Sequence, residues 1–360
     1  MGLGWNIHNL RFHMALYASR LGWNPGDFTE VSAEPMSAGE QLPRKLRVHF
    51  WVPRETAGSM VIIDNVLHPL RNQLEQLGVD WELVTSTDLP DKEVDWLFCF
   101  KSVPHPRQVP GNPRRVLLIC DQAEVFWKDL PAFHEVLATS SPQFARLLAW
   151  RHDKVAYLSE TEPEIHLELG RQVLAGNHPK EPVLLWHGGT HSLKALYALK
   201  PQLIDWAQPH PEACLQIVCG SGVERTEHWG KLTVRYFPWS VEQLHASARI
   251  ARLAVIPAIN RLKHSWLKPA SRVRCCYALG VPAIGDRHVP EVEAFAESFC
   301  GPVVKSIAGW RAELENLWGD ADERNRLAKA GHAKVETEFS TPVAIRRWIR
   351  YLAKPRSMVT

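Results

Sequence analysis

The sequence lacks any apolar run that approaches the ~18–20 residues of a membrane-spanning helix. Its first residues also lack the continuous apolar stretch of a secretory signal, because His8, Arg11 and His13 interrupt it. These two absences favour a cytoplasmic protein. Attachment to the inner face of a membrane through surface residues stays open.

The cysteines show no pairing pattern and no metal-binding spacing. There are seven of them, an odd number, and no CxxC or Cys/His ligand motif appears. Six lie inside apolar runs, where free buried thiols of a reducing compartment are expected. The sequence therefore predicts neither disulfides nor a metal site.

Several catalytic motifs are also absent. There is no GxxxxGK[ST] loop, no GxGxxG after a strand, no HExxH and no GxSxG. These absences argue against a P-loop NTPase, a dinucleotide oxidoreductase, a zinc protease and a serine hydrolase, and no cofactor is expected. The net charge is 42 − 39 = +3, which is too small to indicate a nucleic-acid partner.

The chain has 360 residues, of which 45% are apolar and 22% charged. This length suits two domains of roughly 150 residues each. Residues 1–43 are irregular and form an N-terminal extension. The polar stretch Ala175–Glu181 is the predicted linker between a first domain, 44–175, and a second domain, 181–340. Residues 341–360 form a closing helix that can cross back to the first domain.

Short apolar strands alternate with helices on both sides of the linker. In the first half, the strands are Leu46–Val52, Trp81–Val84, Val94–Phe100, Val116–Cys120, Val136–Thr139 and Val155–Leu158. In the second half, the strands are Val183–Trp186, Leu215–Cys219, Leu232–Phe237, Leu253–Pro257 and Val281–Ile284. This alternation predicts the α/β class, with two doubly wound, Rossmann-like domains. Such sheets bind ligands outside the carboxyl ends of their strands, so the site is expected in a cleft between the domains.

A series of strand ends and loops in the second half follows a recognisable order. The segments are Trp186–Gly189, Ile217–Gly220, Phe237–Trp239, Ile256–Pro257, Lys268–Arg272, Ala278–Ile284, Pro290–Val292 and Phe339–Ser340. The series resembles the C-terminal domain of the retaining GT-B glycosyltransferases, the group of glycogen-synthase-like and mannosyltransferase-like enzymes. The resemblance covers residues 181–353 and, more weakly, 46–175.

The resemblance implies two Rossmann-like domains that face each other across a cleft. It also implies a retaining hexosyltransferase-like enzyme that moves a sugar from a nucleoside diphosphate sugar to a glycan or lipid-linked acceptor in polysaccharide biosynthesis. No DxD-type acidic pair of metal-dependent transferases is present apart from Asp320 and Asp322 in a predicted helix-start loop. Metal-independent chemistry is therefore expected, with a nucleotide sugar as co-substrate and peripheral membrane contact left open.

The sequence departs from the family at three places. Cys275 stands five residues before Gly280, where the first of two family glutamates falls. The glycine-rich loop after the first strand is reduced to Gly58, and Asp121 follows a strand whose end often carries a histidine. A non-catalytic relative that binds a nucleotide or a glycan therefore stays open, and so does a sugar-nucleotide epimerase.

Lys268 and Arg272 are the candidate catalytic cations. Four residues apart, they share one face if the segment is helical. The resemblance places them at the diphosphate, whose growing negative charge needs cations and N–H donors. Arg261 lies in the preceding basic loop and is also predicted to bind the substrate. The alternative is a solvated basic turn.

Gly188 and Gly189 follow a strand and precede a helix, so they let the backbone approach a phosphate at a helix N-terminus. The alternative is a plain turn. The adjacent His187 is either a ligand contact or a packed histidine. Gly220 ends the next matching strand and is counted with the substrate-binding residues.

Glu291 and Trp239 are predicted to bind the nucleoside. The Glu291 carboxylate is expected at the ribose hydroxyls, and the alternative is a favourable charge near a helix N-terminus. Trp239 follows a strand end that meets the base in the resembling family, and the alternative is a core aromatic residue.

Three residues of the first domain complete the predicted site. Asp121, at a strand's carboxyl end, is expected in catalysis or acceptor binding, and the alternative is a helix N-cap. Gly58 and Ser59 lie at the first strand-to-helix turn, where they are expected to approach the same cleft and bind the substrate.

Overall fold

The structure is a computed structural model. It describes residues 7–21, 23, 27–34, 45–53, 63–76, 80–120, 123–176, 180–220, 222, 224–258 and 265–353. The chain forms two units: Met1–Thr161 together with Thr341–Thr360, and Glu162–Ser340. Across the described ranges, no helix has both the length and the apolar character needed to cross a membrane.

The first unit is built on a seven-stranded sheet in the order β1-β7-β6-β5-β4-β2-β3. Its strands are β1 (Thr29–Glu30), β2 (Lys45–Trp51), β3 (Asp80–Ser86), β4 (Trp96–Phe100), β5 (Arg114–Ile119), β6 (Glu135–Ala138) and β7 (Val155–Tyr157). Every pair is parallel. β4 is fully buried and apolar, and β5 is apolar from Val116 onward, because helices cover both faces of such a sheet.

The helices of the first unit come from both ends of the chain. They are α1 (Ile7–Arg20), α2 (His68–Gln76), α3 (Ala123–Phe126), α4 (Pro142–Ala149) and, numbered last, α12 (Thr341–Leu352). Ser141 begins α4, since its side-chain oxygen accepts the N–H of Phe144 at 3.1 Å.

Helix α12 contributes to the core of the first unit. The rings of Phe50 and Phe98 stack at 4.7 Å between their centroids. Trp348 lies 5.6 Å from Phe98, and Tyr351 lies 5.6 Å from Trp96. All five side chains are buried. The closing helix therefore supplies aromatic area that the apolar face of this sheet needs.

The second unit contains a second seven-stranded sheet, in the order β10-β11-β9-β8-β12-β13-β14. Its strands are β8 (Val183–Gly188), β9 (Cys214–Cys219), β10 (Arg225–Trp229), β11 (Leu232–Phe237), β12 (Leu253–Val255), β13 (Ala283–Asp286) and β14 (Val303–Val304). β10 runs antiparallel to β11, and the other pairs are parallel. Its helices are α5 (Glu164–Leu174), α6 (Leu193–Trp206), α7 (Val241–Ile250), α8 (Ser271–Ala278), α9 (Pro290–Glu297), α10 (Gly309–Gly319) and α11 (Ala321–Phe339).

The border between the units differs from the sequence-based border. The sequence assigns 44–175 to the first domain, whereas the structure places α5 in the unit that begins at Glu162. The physical reason lies at Gly170. A Cβ built there would lie 2.0 Å from the carbonyl oxygen of Ala278 and 2.6 Å from the His332 ring. The glycine lets α5 approach α8 and α11 closely, a contact that no composition shift marks.

The close packing at Gly170 predicts that a larger side chain there lowers the stability of the protein. Gly170→Ala should destabilise the protein by more than about 2 kcal/mol, because backbone and a buried ring occupy the space. The control is Gly319→Ala, where a Cβ meets nothing within 4 Å. We expect the control to stay within about 0.5 kcal/mol of the parent. Urea denaturation measures both, and equal midpoints for the two variants would show that the helices do not pack this closely.

Candidate functional site

Strand order reverses within the second sheet between β8 and β12. From β8 the chain builds β9, β11 and β10 on one side, then crosses to place β12, β13 and β14 on the other. Crevices outside the carboxyl ends of strands at such a switch point are where open α/β sheets bind ligands. β8 ends at Gly188, and Pro257 follows the end of β12.

The guanidinium of Arg272, in the first turn of α8, lies beside these two strand ends. Its Nη2 is 3.5 Å from the carbonyl oxygen of Pro257. A Cβ built on Gly188 would lie 3.2 Å from its Nη1. Nη1 is buried and has no hydrogen-bond partner among the residues that the structure describes. Burial lowers the pKa of Arg272, but a guanidinium stays charged. A cationic donor with spare hydrogen-bonding capacity therefore lies at the switch point.

The loop after β8 keeps the backbone close to this cation. Gly188 has φ +156° and Gly189 is the N-cap of a short 3₁₀ turn, Thr190–Ser192. This turn leads into α6, and the first N–H groups of a helix have no intrahelical acceptor. The arrangement offers backbone donors next to Arg272, and this combination suits an anion.

His187 connects β8 to α8. Its Nε2 donates to the carbonyl oxygen of Arg272 at 3.0 Å, so Nε2 carries the proton. Burial lowers the pKa of His187 to about 4, which keeps the ring neutral near pH 7. The side chain is buried. These contacts match the packed-histidine alternative and place His187 as a residue that positions Arg272.

Lys268 does not share a helical face with Arg272. Their spacing of four residues gives a shared face only in a continuous helix, but α8 begins only at Ser271. Pro269 gives the reason, because the residue before a proline is disfavoured in the helical region. Lys268 lies partly exposed in the turn that leads into α8.

Glu291 lies in the first turn of α9 with both carboxylate oxygens engaged by protein donors. Oε2 accepts the N–H of Ala270 at 2.8 Å, and Oε1 accepts from Nη1 of Arg274 at 2.8 Å. Burial raises the pKa of Glu291, opposed by the Arg274 charge. These contacts fix the start of α8 and lend no support to the predicted ribose contact.

Gly220 and Trp239 meet at the carboxyl ends of β9 and β11. The N–H of Trp239 donates to the carbonyl oxygen of Gly220 at 2.8 Å. Gly220 has φ +55°, and a Cβ there would lie 2.5 Å from Cγ2 of Thr190. The Trp239 side chain is 51% exposed, so it is not a core residue. A flat aromatic surface therefore stands at the same sheet edge as Arg272.

The remaining predicted residues are not among those described. Asp121, Gly58, Ser59 and Arg261 lie outside the described residues, and their roles stay predictions. Sequence reasoning missed Arg274, which is fully buried in α8. The sequence could have indicated this residue, because an arginine inside the otherwise apolar run Val273–Leu279 needs a buried partner.

The buried neutral His187 makes a pH prediction. Its ordinary pKa of 6.5 falls to about 4 in the folded chain. Between these values the unfolded chain binds the proton and the folded chain does not, so the free energy of unfolding falls as the pH falls. The contribution is roughly 2 kcal/mol between pH 7 and pH 5.

We therefore expect His187→Asn to lose less stability than the parent on acidification from pH 7 to pH 5, measured by denaturant unfolding. Burial also lowers the pKa of His245 to about 4, so His245 maintains part of the pH dependence of stability in this variant. The exposed His228→Asn is the control and should follow the parent. An identical pH dependence for His187→Asn and the parent would contradict the buried neutral assignment.

Neither a known family model nor a curated protein matches the sequence. Solved structures do match the fold. A glycosyltransferase from Rickettsia africae ESF-5 gives a TM-score of 0.60 at 12% identity, covering 86% of this chain and 98% of that chain. Sucrose-phosphate synthase from Thermosynechococcus elongatus gives 0.57 at 13%, covering 85% and 98%. Anabaena HepE, solved with UDP and glucose, gives 0.53 at 13%, covering 84% and 98%. Together with its two mainly parallel, helix-covered sheets, this likeness shows that the chain has the GT-B fold of these glycosyltransferases.

Proposed function

We propose that this protein is a glycosyltransferase that moves a sugar from a nucleoside diphosphate sugar to a glycan or lipid-linked acceptor. One observation carries the proposal: the buried Nη1 of Arg272 has spare donor capacity beside a glycine loop at the switch point of the second sheet. Breaking a sugar–phosphate bond leaves a diphosphate whose developing charge needs such a donor.

The roles of the second unit follow from this geometry. Arg272 donates a hydrogen bond to a phosphate oxygen, and the backbone of Gly188 and Gly189 approaches the same phosphate group. Lys268 supplies a second, mobile positive charge from the turn before α8. These cations do the work that a metal ion does in metal-dependent transferases, and the exposed Trp239 offers a surface on which a nucleobase stacks.

The solved structures support the ligand class. HepE was solved with UDP-glucose, at a TM-score of 0.53. A mutant of TarM was solved with fondaparinux, α-GlcNAc-glycerol and UDP, at a TM-score of 0.51. A uridine diphosphate sugar is the first donor to test. The first unit, with Asp121, Gly58 and Ser59, is assigned to the acceptor, and retention of anomeric configuration is proposed with it.

The exposed surface of α1 favours a cytoplasmic protein that contacts the inner face of a membrane. Met14, Tyr17 and Leu21 are 63%, 66% and 69% exposed. Met14 and Tyr17 are three residues apart on one face of α1, and Leu21 directly follows the end of the helix. No acidic residue interrupts α1. Such a face suits a peripheral contact with an anionic bilayer that carries a lipid-linked acceptor.

A non-catalytic nucleotide-binding relative is the second candidate. Cys275 is buried where the resemblance expects a glutamate, and burial raises the pKa of its thiol well above the ordinary value. A neutral thiol cannot replace a carboxylate. Calorimetry with UDP and GDP separates the two candidates, because tight binding without hydrolysis or transfer on any acceptor favours the second.

The proposed phosphate contacts predict a loss of turnover. Lys268→Ala and Arg272→Lys should each lower kcat for donor hydrolysis or transfer by about 100-fold or more, because the leaving group loses a positioned donor. The assay uses a panel of nucleotide sugars and follows release of the nucleoside diphosphate.

Lys305→Ala is the matched control, since Lys305 is an exposed lysine of the same unit away from the switch point. It should keep the parent turnover. Circular dichroism confirms that each variant is folded. Parent-like turnover in both Lys268→Ala and Arg272→Lys would overturn the assignment of the leaving-group site.

A further inference from the structure

Three metal-ligand types meet inside the second unit, where α5 approaches α8, the helix that carries Arg272. They are Glu162, His166 of α5 and Cys275 of α8, and all three side chains are buried. One potential ligand atom from each lies within 4.8 Å of the other two. Nδ1 of His166 is 3.8 Å from Sγ of Cys275 and 3.9 Å from Oε2 of Glu162.

The geometry does not suit a Cys-His-Glu catalytic triad. In a triad the nucleophile and the carboxylate contact opposite nitrogens of the imidazole. Here the thiol and the carboxylate both lie on the Nδ1 side of His166. Three buried polar groups that converge on one point need a positive charge between them, either a proton or a metal cation.

The charges around the cluster leave room for added positive charge. Nη1 of Arg274 pairs with Glu291 at 2.8 Å, and Nε of Arg274 lies 3.6 Å from Oε1 of Glu162. With His166 and Cys275 both counted as neutral, one guanidinium and two carboxylates leave a net charge of −1 in a buried site, which is costly. A divalent cation bound to Glu162 and to the Cys275 thiolate brings the sum to zero.

We propose that Glu162, His166 and Cys275 form a binding site for a divalent, thiophilic cation of the Zn²⁺ class. Tetrahedral zinc with ordinary bond lengths needs S···N and N···O separations of about 3.4–3.6 Å. The observed separations of 3.8 and 3.9 Å are within about 0.5 Å of these values. Arg274 then orients the Glu162 carboxylate through its other oxygen, as outer partners of metal ligands do.

His245 of α7 is a further ligand type beside the cluster. Its ring packs on His166 at 5.2 Å between centroids, and its buried Nε2 has no hydrogen-bond partner in the described part of the chain. Rotation of this side chain brings a fourth ligand to the site, and a water molecule fills the position otherwise. Closed four-coordinate sites of this kind stabilise a fold.

The consequence of binding is structural. The cation ties α5 to α8, the helix that carries Arg272 in its first turn. Cys275 loses its proton on binding, and the proton leaves to solvent as the metal–sulfur bond forms. No electron transfer or change of oxidation state is involved.

Cobalt(II) titration of the full chain, after chelator treatment, tests the site. We expect one equivalent of Co²⁺ to bind, with a thiolate-to-cobalt charge-transfer band in the near ultraviolet and the visible bands of a tetrahedral site. Zn²⁺ should remove both and raise the thermal midpoint. Cys275→Ser should lose the charge-transfer band, and Glu162→Gln should weaken binding at least about 10-fold.

Cys276→Ser is the matched control, because Cys276 is also buried in α8 but does not belong to the cluster. It should keep the band. No charge-transfer band in the folded parent would overturn the proposal and leave the cluster held by protons alone. The same band in Cys275→Ser would also overturn it. If Cys275→Ser fails to fold, the parent spectrum and Glu162→Gln decide.

Discussion

One desolvated hydrogen-bond donor defines the candidate site of the second unit. Nη1 of Arg272 is buried between the ends of β8 and β12 without a hydrogen-bond partner in the described residues. A protein rarely leaves a charged donor in this state, because the lost hydration costs free energy that only a partner restores. A phosphate oxygen is the partner that matches a guanidinium in charge and in fork geometry.

The surrounding structure holds this donor in place. Nε2 of His187 donates to the Arg272 carbonyl, and Glu291 accepts the N–H of Ala270 just before α8. Arg274, one turn along from Ala270, completes the contact with Glu291. The start of α8 is thus fixed from β8 on one side and from α9 on the other, which lets one side chain keep a precise position. Stabilisation of charge on a leaving group depends on such precise positioning more than on new chemistry.

The α/β alternation was predictable because buried parallel strands are short apolar runs. β4, β9 and β11 lie where the sequence predicts them. β10 was missed because Arg225–Trp229 is polar and lies at the sheet edge. The shared helical face of Lys268 and Arg272 was wrong because α8 begins only after Pro269. The border at Glu162 was hidden because the packing of α5 side chains such as Leu167 and Val173 in the core of the second unit, not a loop, assigns α5 to that unit.

The site itself was partly predictable. Gly188, Arg272, Gly220 and Trp239 do meet at one sheet edge, as strand ends of a parallel sheet must. The roles of His187 and Glu291 were not predictable, since burial and partners decide them. The cluster of His166 with Cys275 joins positions 109 residues apart, which no spacing rule detects.

A crystal structure of the chain with a bound nucleoside diphosphate would locate the leaving group relative to Arg272. We expect a phosphate oxygen at about 2.7–2.9 Å from Nη1 of Arg272, between the ends of β8 and β12. A diphosphate bound at another place, with Nη1 of Arg272 still without a partner, would contradict it.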